Sequence, residues 1–257
     1  MKKQNFIIAP GLILLFTLLA GFANMPQEVK KNIDAKKAKT VKTEITFPAG
    51  KLYINPDGKS FCEGFYKYKK DFWEPNISYY EESENGYLKI DVDDERREKN
   101  YNDDDENEWT IAFNKEVKND LHIEMIAGES NIDLQDCNLS KFRFEMVAGE
   151  TNINLRNTSV PFFEFRAIAG EAEIDLSGTW KNDLDAEIKG GVGELTIKLP
   201  ADVGVKVSIT GGLGDVSAHG FNKNNRVYTN DLYGKTKESL YVDVTGGIGN
   251  VTLRLDD

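Results

Sequence analysis

Five carboxylates follow a glycine at regular positions in the second half of the chain. They are Glu129, Glu150, Glu171, Glu194 and Asp215, and together they are called the acidic column here. Stacked in space, such side chains could hold cations or a polycationic partner, and a pair of them could cleave a polysaccharide by acid catalysis. Because these carboxylates belong to a repeat and do not interrupt it, the sequence favours a structural role at a solvated corner.

Other residues with catalytic or metal-binding chemistry are few. The histidines His122 and His219 have no cysteine or histidine at metal-ligand spacing, and no Gly-x-Ser-x-Gly motif is present. Residues 103–107 match the start of a calcium loop, but Glu108 stands at the position of its glycine and Asn114 at that of its closing glutamate. We therefore predict no catalytic residue, no cofactor site and no metal site, and a protein that is not an enzyme.

The chain has two cysteines, Cys62 and Cys137. An exported chain permits a disulfide, and only one pairing is available. Nothing in the sequence brings the two residues together, so we predict two separate buried thiols.

The acidic column is part of a phrase that recurs at a spacing of 21 residues. Three close copies cover residues 123–134, 144–155 and 165–176, and looser copies lie earlier and later. The glycines at their centres are Gly50, Gly128, Gly149, Gly170, Gly193, Gly214 and Gly249. Apolar and polar residues alternate on both sides of each glycine, which is typical of strands with one buried face.

These glycines are predicted to mark the bend between two short strands. Glycine suits a bend because it adopts positive φ freely and allows neighbouring backbones to approach closely. A side chain such as Ser130, beside a bend, is expected to tolerate replacement by alanine at little cost. One two-strand rung cannot bury its own apolar face, so the rungs must stack and share a core. The sequence thus predicts an all-β fold, a single-sided β-helix or β-solenoid.

The Gly-Glu bends, the rung length and an early block, residues 47–54 (Phe-Pro-Ala-Gly-Lys-Leu-Tyr-Ile), resemble the bacterial toast-rack family. The resemblance covers roughly residues 43–257. It implies a one-sided β-helix, often without enzymatic activity. Some relatives are the exported portions of membrane proteins that restrain two-component signalling in response to cell-wall antibiotics, and others are described as adhesins.

The N-terminal region has the layout of an exported protein. Lys2 and Lys3 precede an apolar run and a small-residue site, so residues 1–23 are predicted to be a signal peptide, or an N-terminal membrane anchor if they are retained. Residues 24–42 are rich in lysine and are predicted to form a solvated linker, with contact to a membrane surface as the alternative.

The rest of the chain, residues 43–257, is predicted to be the β-solenoid. Residues 43–118 form its irregular part, with an acidic surface loop over 93–108, and residues 119–257 form the regular rungs. Aromatic residues crowd positions 60–82. They could bind sugar or peptide, but we expect them to cover the open face of the solenoid.

A net charge of −11 argues against binding nucleic acid, because phosphate recognition needs a basic surface. The resemblance implies an exported, non-enzymatic protein of the cell envelope, acting in adhesion or in the regulation of envelope stress responses. Its partner would be an envelope protein or a wall polymer. The alternative from another class is a carbohydrate-active enzyme that uses acidic residues of the rungs.

Overall fold

The structure, a computed structural model, describes residues 26–69, 73–92 and 106–256. The predicted signal segment and residues 93–105 of the predicted acidic loop lie outside the described residues. Within the described ranges there is no α-helix, and hence none with the length and hydropathy needed to span a bilayer. The all-β class predicted from the alternating pattern is confirmed.

Most of the described residues lie in β-strands. In chain order these are β1 (Gln27–Ile33), β2 (Thr40–Asn55), β3 (Asp57–Tyr68), β4 (Asn76–Glu82), β5 (Asn85–Asp91), β6 (Asn107–Asn114), β7 (Lys118–Asp133), β8 (Leu139–Asn154), β9 (Phe162–Asp175), β10 (Leu184–Val192), β11 (Leu195–Pro200), β12 (Gly204–Leu213), β13 (Val216–Ala218), β14 (Asn222–Asn224), β15 (Val227–Thr229), β16 (Ser239–Ile248) and β17 (Val251–Asp256).

The strands form one continuous sheet that bends at the glycines, so each rung contributes one arm to each of its two halves. These halves are called the first sheet (before the bend) and the second sheet (after it). In the first four rungs a single long strand (β2, β7, β8 or β9) runs through the bend, whereas later rungs are split into β10 and β11, β12 and β13, and β16 and β17. Before the bend the strand order is β4-β5-β2-β7-β8-β9-β10-β16-β12-β15-β14. After the bend it is β1-β3-β6-β2-β7-β8-β9-β11-β17-β13.

Neighbouring rungs run parallel, and equivalent residues of the phrase face one another. Gly128 pairs with Gly50 on one side and with Gly149 on the other, and Gly149 pairs with Gly170. Like side chains therefore form columns that run across the strands. Neighbouring residues of one column are separated by one rung spacing, about 4.8 Å.

The core lies between the two arms. The Phe142 and Phe163 rings stack 5.4 Å apart, and the Phe144 and Phe165 rings 5.9 Å apart, because each pair occupies the same position on β8 and β9. All four rings are buried. Such offset stacking adds about 0.5–1.5 kcal/mol per pair to the burial of the rings themselves, so repetition of an aromatic position strengthens the stack.

Turns opposite the bends connect successive rungs, and a repeated Asx motif begins three of them. Asp133, Asn154 and Asp175 hold the same position at the end of their strands. The side-chain oxygen of each accepts a hydrogen bond from the backbone N–H two residues later, at 2.9–3.1 Å. An Asx turn competes with strand pairing, so this residue ends the arm in these three rungs.

The order of the last rungs in space differs from their order in the chain. Strands β16 and β17 lie between β10–β11 and β12–β13, because Leu195 pairs with Val251, which in turn pairs with Val216. The polar stretch 219–238 connects β13 to β16 and so allows the chain to come back between the two earlier rungs. It contains the β14–β15 hairpin, which extends the first sheet beyond β12.

Two expectations for the irregular part require correction. Residues 24–42 are not a linker throughout, since β1 pairs antiparallel with β3. The aromatic stretch does not cover an open face. Its residues 60–68 belong to β3, which pairs with β6 and lengthens the second sheet, and the rings of Phe61, Tyr66 and Tyr68 enter the core.

Candidate interaction surface

The bend glycines bring neighbouring backbones into close approach. Six of them have φ between +115° and +155°, a region that L side chains rarely adopt; they are Gly50, Gly128, Gly149, Gly170, Gly193 and Gly249. A Cβ built on any of these would stand 1.7–2.1 Å from a backbone oxygen of the adjacent rung. Gly214 differs, because its φ lies outside this region, yet its Cβ would still meet the Gly249 oxygen at 1.8 Å. All seven glycines are therefore required by space, and the first six by conformation as well.

The acidic column lies exposed on the outside of the bends. Glu129 pairs in register with Glu150, and Glu150 with Glu171. Glu194 follows, because its carbonyl oxygen accepts a hydrogen bond from the N–H of Ala172 at 2.9 Å. Four carboxylates thus stand on consecutive rungs.

A lysine precedes this run of carboxylates. Lys51 pairs in register with Glu129, and its Nζ lies 3.5 Å from Glu129 Oε2. Both side chains are more than half exposed, so the ion pair contributes little to stability. Its effect is local, because it neutralises part of the charge at one end of the column and leaves Glu150 between two carboxylates.

At the other end, the predicted column is interrupted. Asp215 does not follow Glu194, because the rung of β16 and β17 lies between them and places Asn250 at that position. Asn250 O accepts a hydrogen bond from Leu195 N at 3.0 Å, and Asn250 Oδ1 lies 3.3 Å from Asp215 N, its donor. The continuous acidic column therefore has four members, with Asp215 separated from them by an uncharged amide.

A second column on the bends was not found from the sequence. Four aliphatic side chains, called the aliphatic ridge here, point outward just before the bends: Ile126, Val147, Ile168 and Val192, which are 40%, 46%, 66% and 58% exposed. The first three stand two residues before their glycine, and Val192 stands directly before Gly193. The signal is present in the repeated phrases Ile-Ala-Gly, Val-Ala-Gly and Ile-Ala-Gly. The alternating pattern alone says only that this position is not buried.

Behind the bends, the core contains a buried pair of hydroxyls. Ser130 and Thr151 are 5% and 2% exposed, and the Ser130 hydroxyl donates a hydrogen bond to Thr151 Oγ1 at 2.6 Å. Ser130 therefore faces the core and not the solvated side of the bend. The expectation that its replacement by alanine costs little is withdrawn, because the change would leave a buried hydroxyl without its partner.

The other residues considered for chemistry have structural surroundings. Asn107, in the calcium-like segment, is buried, and its Nδ2 donates to the carbonyl oxygen of Ala49 at 2.6 Å. His122 Nε2 lies 3.5 Å from Glu145 Oε1 on the outer face of the first sheet. No group of three or more histidine, cysteine, aspartate or glutamate residues within the described ranges has the arrangement of a metal site.

Both cysteines are free and buried, which confirms the prediction of separate thiols. Cys62 lies on β3 and Cys137 in the turn after β7. Burial in apolar surroundings raises the pKa of each thiol to about 12, with smaller contributions from nearby carboxylates. The thiols are therefore protonated at neutral pH and are poor nucleophiles.

The lysine-rich segment is partly engaged by the fold. Lys30 Nζ lies 5.3 Å from the centre of the Phe65 ring, Lys39 forms an ion pair with Glu84, and Lys42 forms one with Glu44 at 2.7 Å. These contacts reduce the number of charges in this segment that are free to meet a membrane surface.

Comparison with known proteins identifies the family. The family model described as "N-terminal domain of toast_rack, DUF2154" matches residues 22–169 and 144–198, which is more than half of the chain. The chain belongs to the toast-rack family. The resemblance found in the Gly-Glu bends is thus confirmed.

Solved structures of similar fold include a "putative cell adhesion protein" from Clostridium sporogenes. It is 26% identical, with a TM-score of 0.64, and the match covers 90% of this chain and 100% of that one. A "putative adhesin" from Bacteroides fragilis is 11% identical, with a TM-score of 0.34 and coverage of 88% and 97%. A "putative lipid binding protein" from Parabacteroides distasonis is 12% identical, with a TM-score of 0.32 and coverage of 88% and 96%. A search of curated proteins finds no match.

Proposed function

We propose that this toast-rack protein is an exported, non-enzymatic module of the bacterial cell envelope that acts by binding a partner. The observation that carries the proposal is the likeness, over 90% of the chain, to a solved "putative cell adhesion protein". The outward-facing side chains agree with it, because the repeat presents them as columns on a rigid surface. Extended repeat surfaces of this kind are used for binding.

Export and membership of an envelope stress response are the finer parts of the proposal. Export rests on Lys2, Lys3 and the apolar run that follows, which have the composition of a signal segment. The stress response rests on the family, whose relatives include restrainers of two-component signalling. The partner is an envelope protein or a wall polymer.

The carbohydrate-active alternative receives no support from the described residues. Its carboxylates would have to flank a scissile bond at about 5–9 Å within a substrate cleft. The four consecutive carboxylates of the acidic column instead lie exposed on the outside of the bends, where they cannot enclose a sugar.

A deletion strain of the producing bacterium tests the role in the envelope. We expect its transcriptional response to a cell-wall antibiotic, or its attachment to surfaces, to change, and the full-length gene to restore the original level. A protease added to intact cells should degrade the protein if it is exported. Release of reducing ends when the purified chain is incubated with wall polysaccharide would contradict the non-enzymatic assignment.

A further inference from the structure

The aliphatic ridge is an unusual feature of the outer surface. Outward positions on the arms of this solenoid are mostly polar or charged, whereas Ile126, Val147 and Ile168 share one register position on three consecutive rungs. Val192 continues this row on the fourth rung but is offset by one residue toward the bend, because it pairs with Ala169. A single exposed aliphatic residue needs no explanation, but a contiguous row marks a binding surface.

The charges on the two sides of the ridge differ. On the side of the second sheet, the four consecutive glutamates of the acidic column follow the ridge along its whole length. On the side of the first sheet the sign changes halfway, since Glu124 and Glu145 are followed by Arg166 and Lys189. A partner that covers the ridge therefore meets uniform negative charge on one side only.

The spacing of the ridge fits an α-helix. Measured across the strands, consecutive rungs place its side chains at about 0, 4.8, 9.6 and 14.4 Å, and Val192 is also displaced along the strand by one residue, about 3.4 Å. Residues i, i+3, i+7 and i+10 of a helix rise by about 0, 4.5, 10.5 and 15 Å and lie on one face. The two series agree to within about 1 Å, whereas alternate residues of a strand, about 6.8 Å apart, lose register after two rungs.

From this spacing and charge, we propose that the aliphatic ridge and the acidic column together bind a basic amphipathic helix of a protein partner. Apolar residues at i, i+3, i+7 and i+10 cover the ridge, and lysine or arginine residues on one flank of the helix face Glu129, Glu150, Glu171 and Glu194. Amphipathic helices bind apolar surfaces in this way in many complexes. The proposal deepens the binding function proposed above and rests on it.

Charge also disfavours two other occupants. A second copy placed antiparallel on the ridge would bring one acidic column against the other, which is repulsive. An anionic membrane would be repelled by the same carboxylates. Both occupants are therefore outcomes that the experiment must be able to detect.

The probe is a fluorescein-labelled, 18-residue synthetic helix with leucine at i, i+3, i+7 and i+10, lysine along one flank and alanine or glutamine elsewhere. Its binding to the full chain is measured by fluorescence anisotropy at physiological salt. Two double variants remove the proposed contacts: Val147→Ser with Ile168→Ser on the ridge, and Glu150→Gln with Glu171→Gln in the acidic column.

Matched control variants carry the same kinds of substitution at positions away from the ridge and the acidic column. Tyr80→Ser removes an apolar side chain that is 58% exposed on β4. Glu82→Gln with Asp202→Asn removes two exposed charges away from the bends. Cooperative thermal unfolding at or above the wild-type melting temperature shows that the variants remain folded, and a probe with glutamate in place of lysine tests the sign of the charge.

We expect each contact variant to weaken binding of the lysine probe by about tenfold or more, which corresponds to about 1.4 kcal/mol, and the controls to leave it within about twofold. Absence of binding to the wild type, or equal binding to contact and control variants, would overturn the proposal. If the wild type is a dimer and Ile168→Ser converts it to a monomer, the occupant of the ridge is a second copy of the chain and not a helix. If the chain binds vesicles and the ridge variant does not, the occupant of the ridge is a membrane. None of these results bears on the deletion-strain test, so the two proposals can fail separately.

Discussion

The carbonyl oxygen of Gly128 occupies the space that a side chain on Gly149 would need. A Cβ built on Gly149 would stand 2.0 Å from that oxygen, and the φ of Gly149 is +144°. The contact joins two backbones of neighbouring rungs, so a flexible side chain cannot relieve it. The same relationship recurs at Gly170 over Gly149 and at Gly193 over Gly170.

Replacement of Gly149 by alanine should therefore be severely destabilising. We expect Gly149→Ala to lower the free energy of unfolding by about 3 kcal/mol or more, because backbone strain and the displaced rung both add to the cost. Gly190→Ala is the matched control, since no atom lies within 4 Å of its added Cβ and its φ is not positive. It should be neutral or slightly stabilising. Similar urea midpoints for the two variants would refute the role of the bend.

The Ser130–Thr151 hydrogen bond gives a second test, in the core. Ser130→Ala should lower the free energy of unfolding by about 1–3 kcal/mol, because the buried Thr151 hydroxyl is left without its partner. Adding Thr151→Val removes that hydroxyl and keeps the side chain's shape. The double variant should then regain most of the lost stability. If it is instead less stable than Ser130→Ala alone, the hydroxyl pair is not the reason for the loss.

The sequence predicts the bends and columns well because both follow from local alternation around a repeated glycine. It fails where pairing depends on distant segments. The rung at Gly249 carries the same Gly-Gly-x-Gly phrase as those at Gly193 and Gly214, so nothing local shows that it inserts between them. Pairing of β1 with β3 is missed for the same reason, because the exposed, lysine-rich strand has no buried face to give a pattern.

The sequence predicted one of the two columns that make up the candidate surface. The repeated Gly-Glu step locates the acidic column, whereas the aliphatic ridge was not predicted as a surface. Alternation would assign Met125 and Ala127 to one face and Ile126 to the other. The structure places Ile126 on the outer face, as alternation would, but alternation does not show that the outward aliphatic residues of four rungs are exposed next to the bends.

The buried thiols predict chemical inertness. At pH 8 a disulfide reagent such as dithionitrobenzoate should label neither Cys62 nor Cys137 in the folded chain and both in urea, because burial keeps the thiols protonated and inaccessible. Fast labelling of the folded protein at pH 8 would contradict the buried positions.

The same raised pKa values predict a loss of stability in alkali. Below pH 9.0, the ordinary pKa of a cysteine thiol here, both states hold the proton and the contribution to stability is fully present. Above it the unfolded chain loses protons that the folded chain retains until about pH 12. The free energy of unfolding should therefore fall between these values. Cys62→Ala with Cys137→Ala should make the fall shallower, as measured by urea unfolding at each pH.

The acidic column provides the last prediction. Glu150 stands between Glu129 and Glu171, so Glu150→Gln removes repulsion on both sides while it keeps the shape of the side chain. The melting temperature should stay unchanged or rise slightly, and the rise should be larger at low salt, where repulsion is least screened.

Glu129→Gln is the matched control. It also removes one carboxylate from the column, but it breaks the contact with Lys51 at 3.5 Å. The lost attraction offsets the relieved repulsion, so its melting temperature should gain less than that of Glu150→Gln. Calcium tests the remaining alternative, in which the acidic column binds cations. If millimolar calcium raises the melting temperature of the wild type above that in salt of matched ionic strength, and raises that of Glu150→Gln less, the column binds cations. We expect no such difference, because the four carboxylates lie in a solvated row that the repeat itself explains.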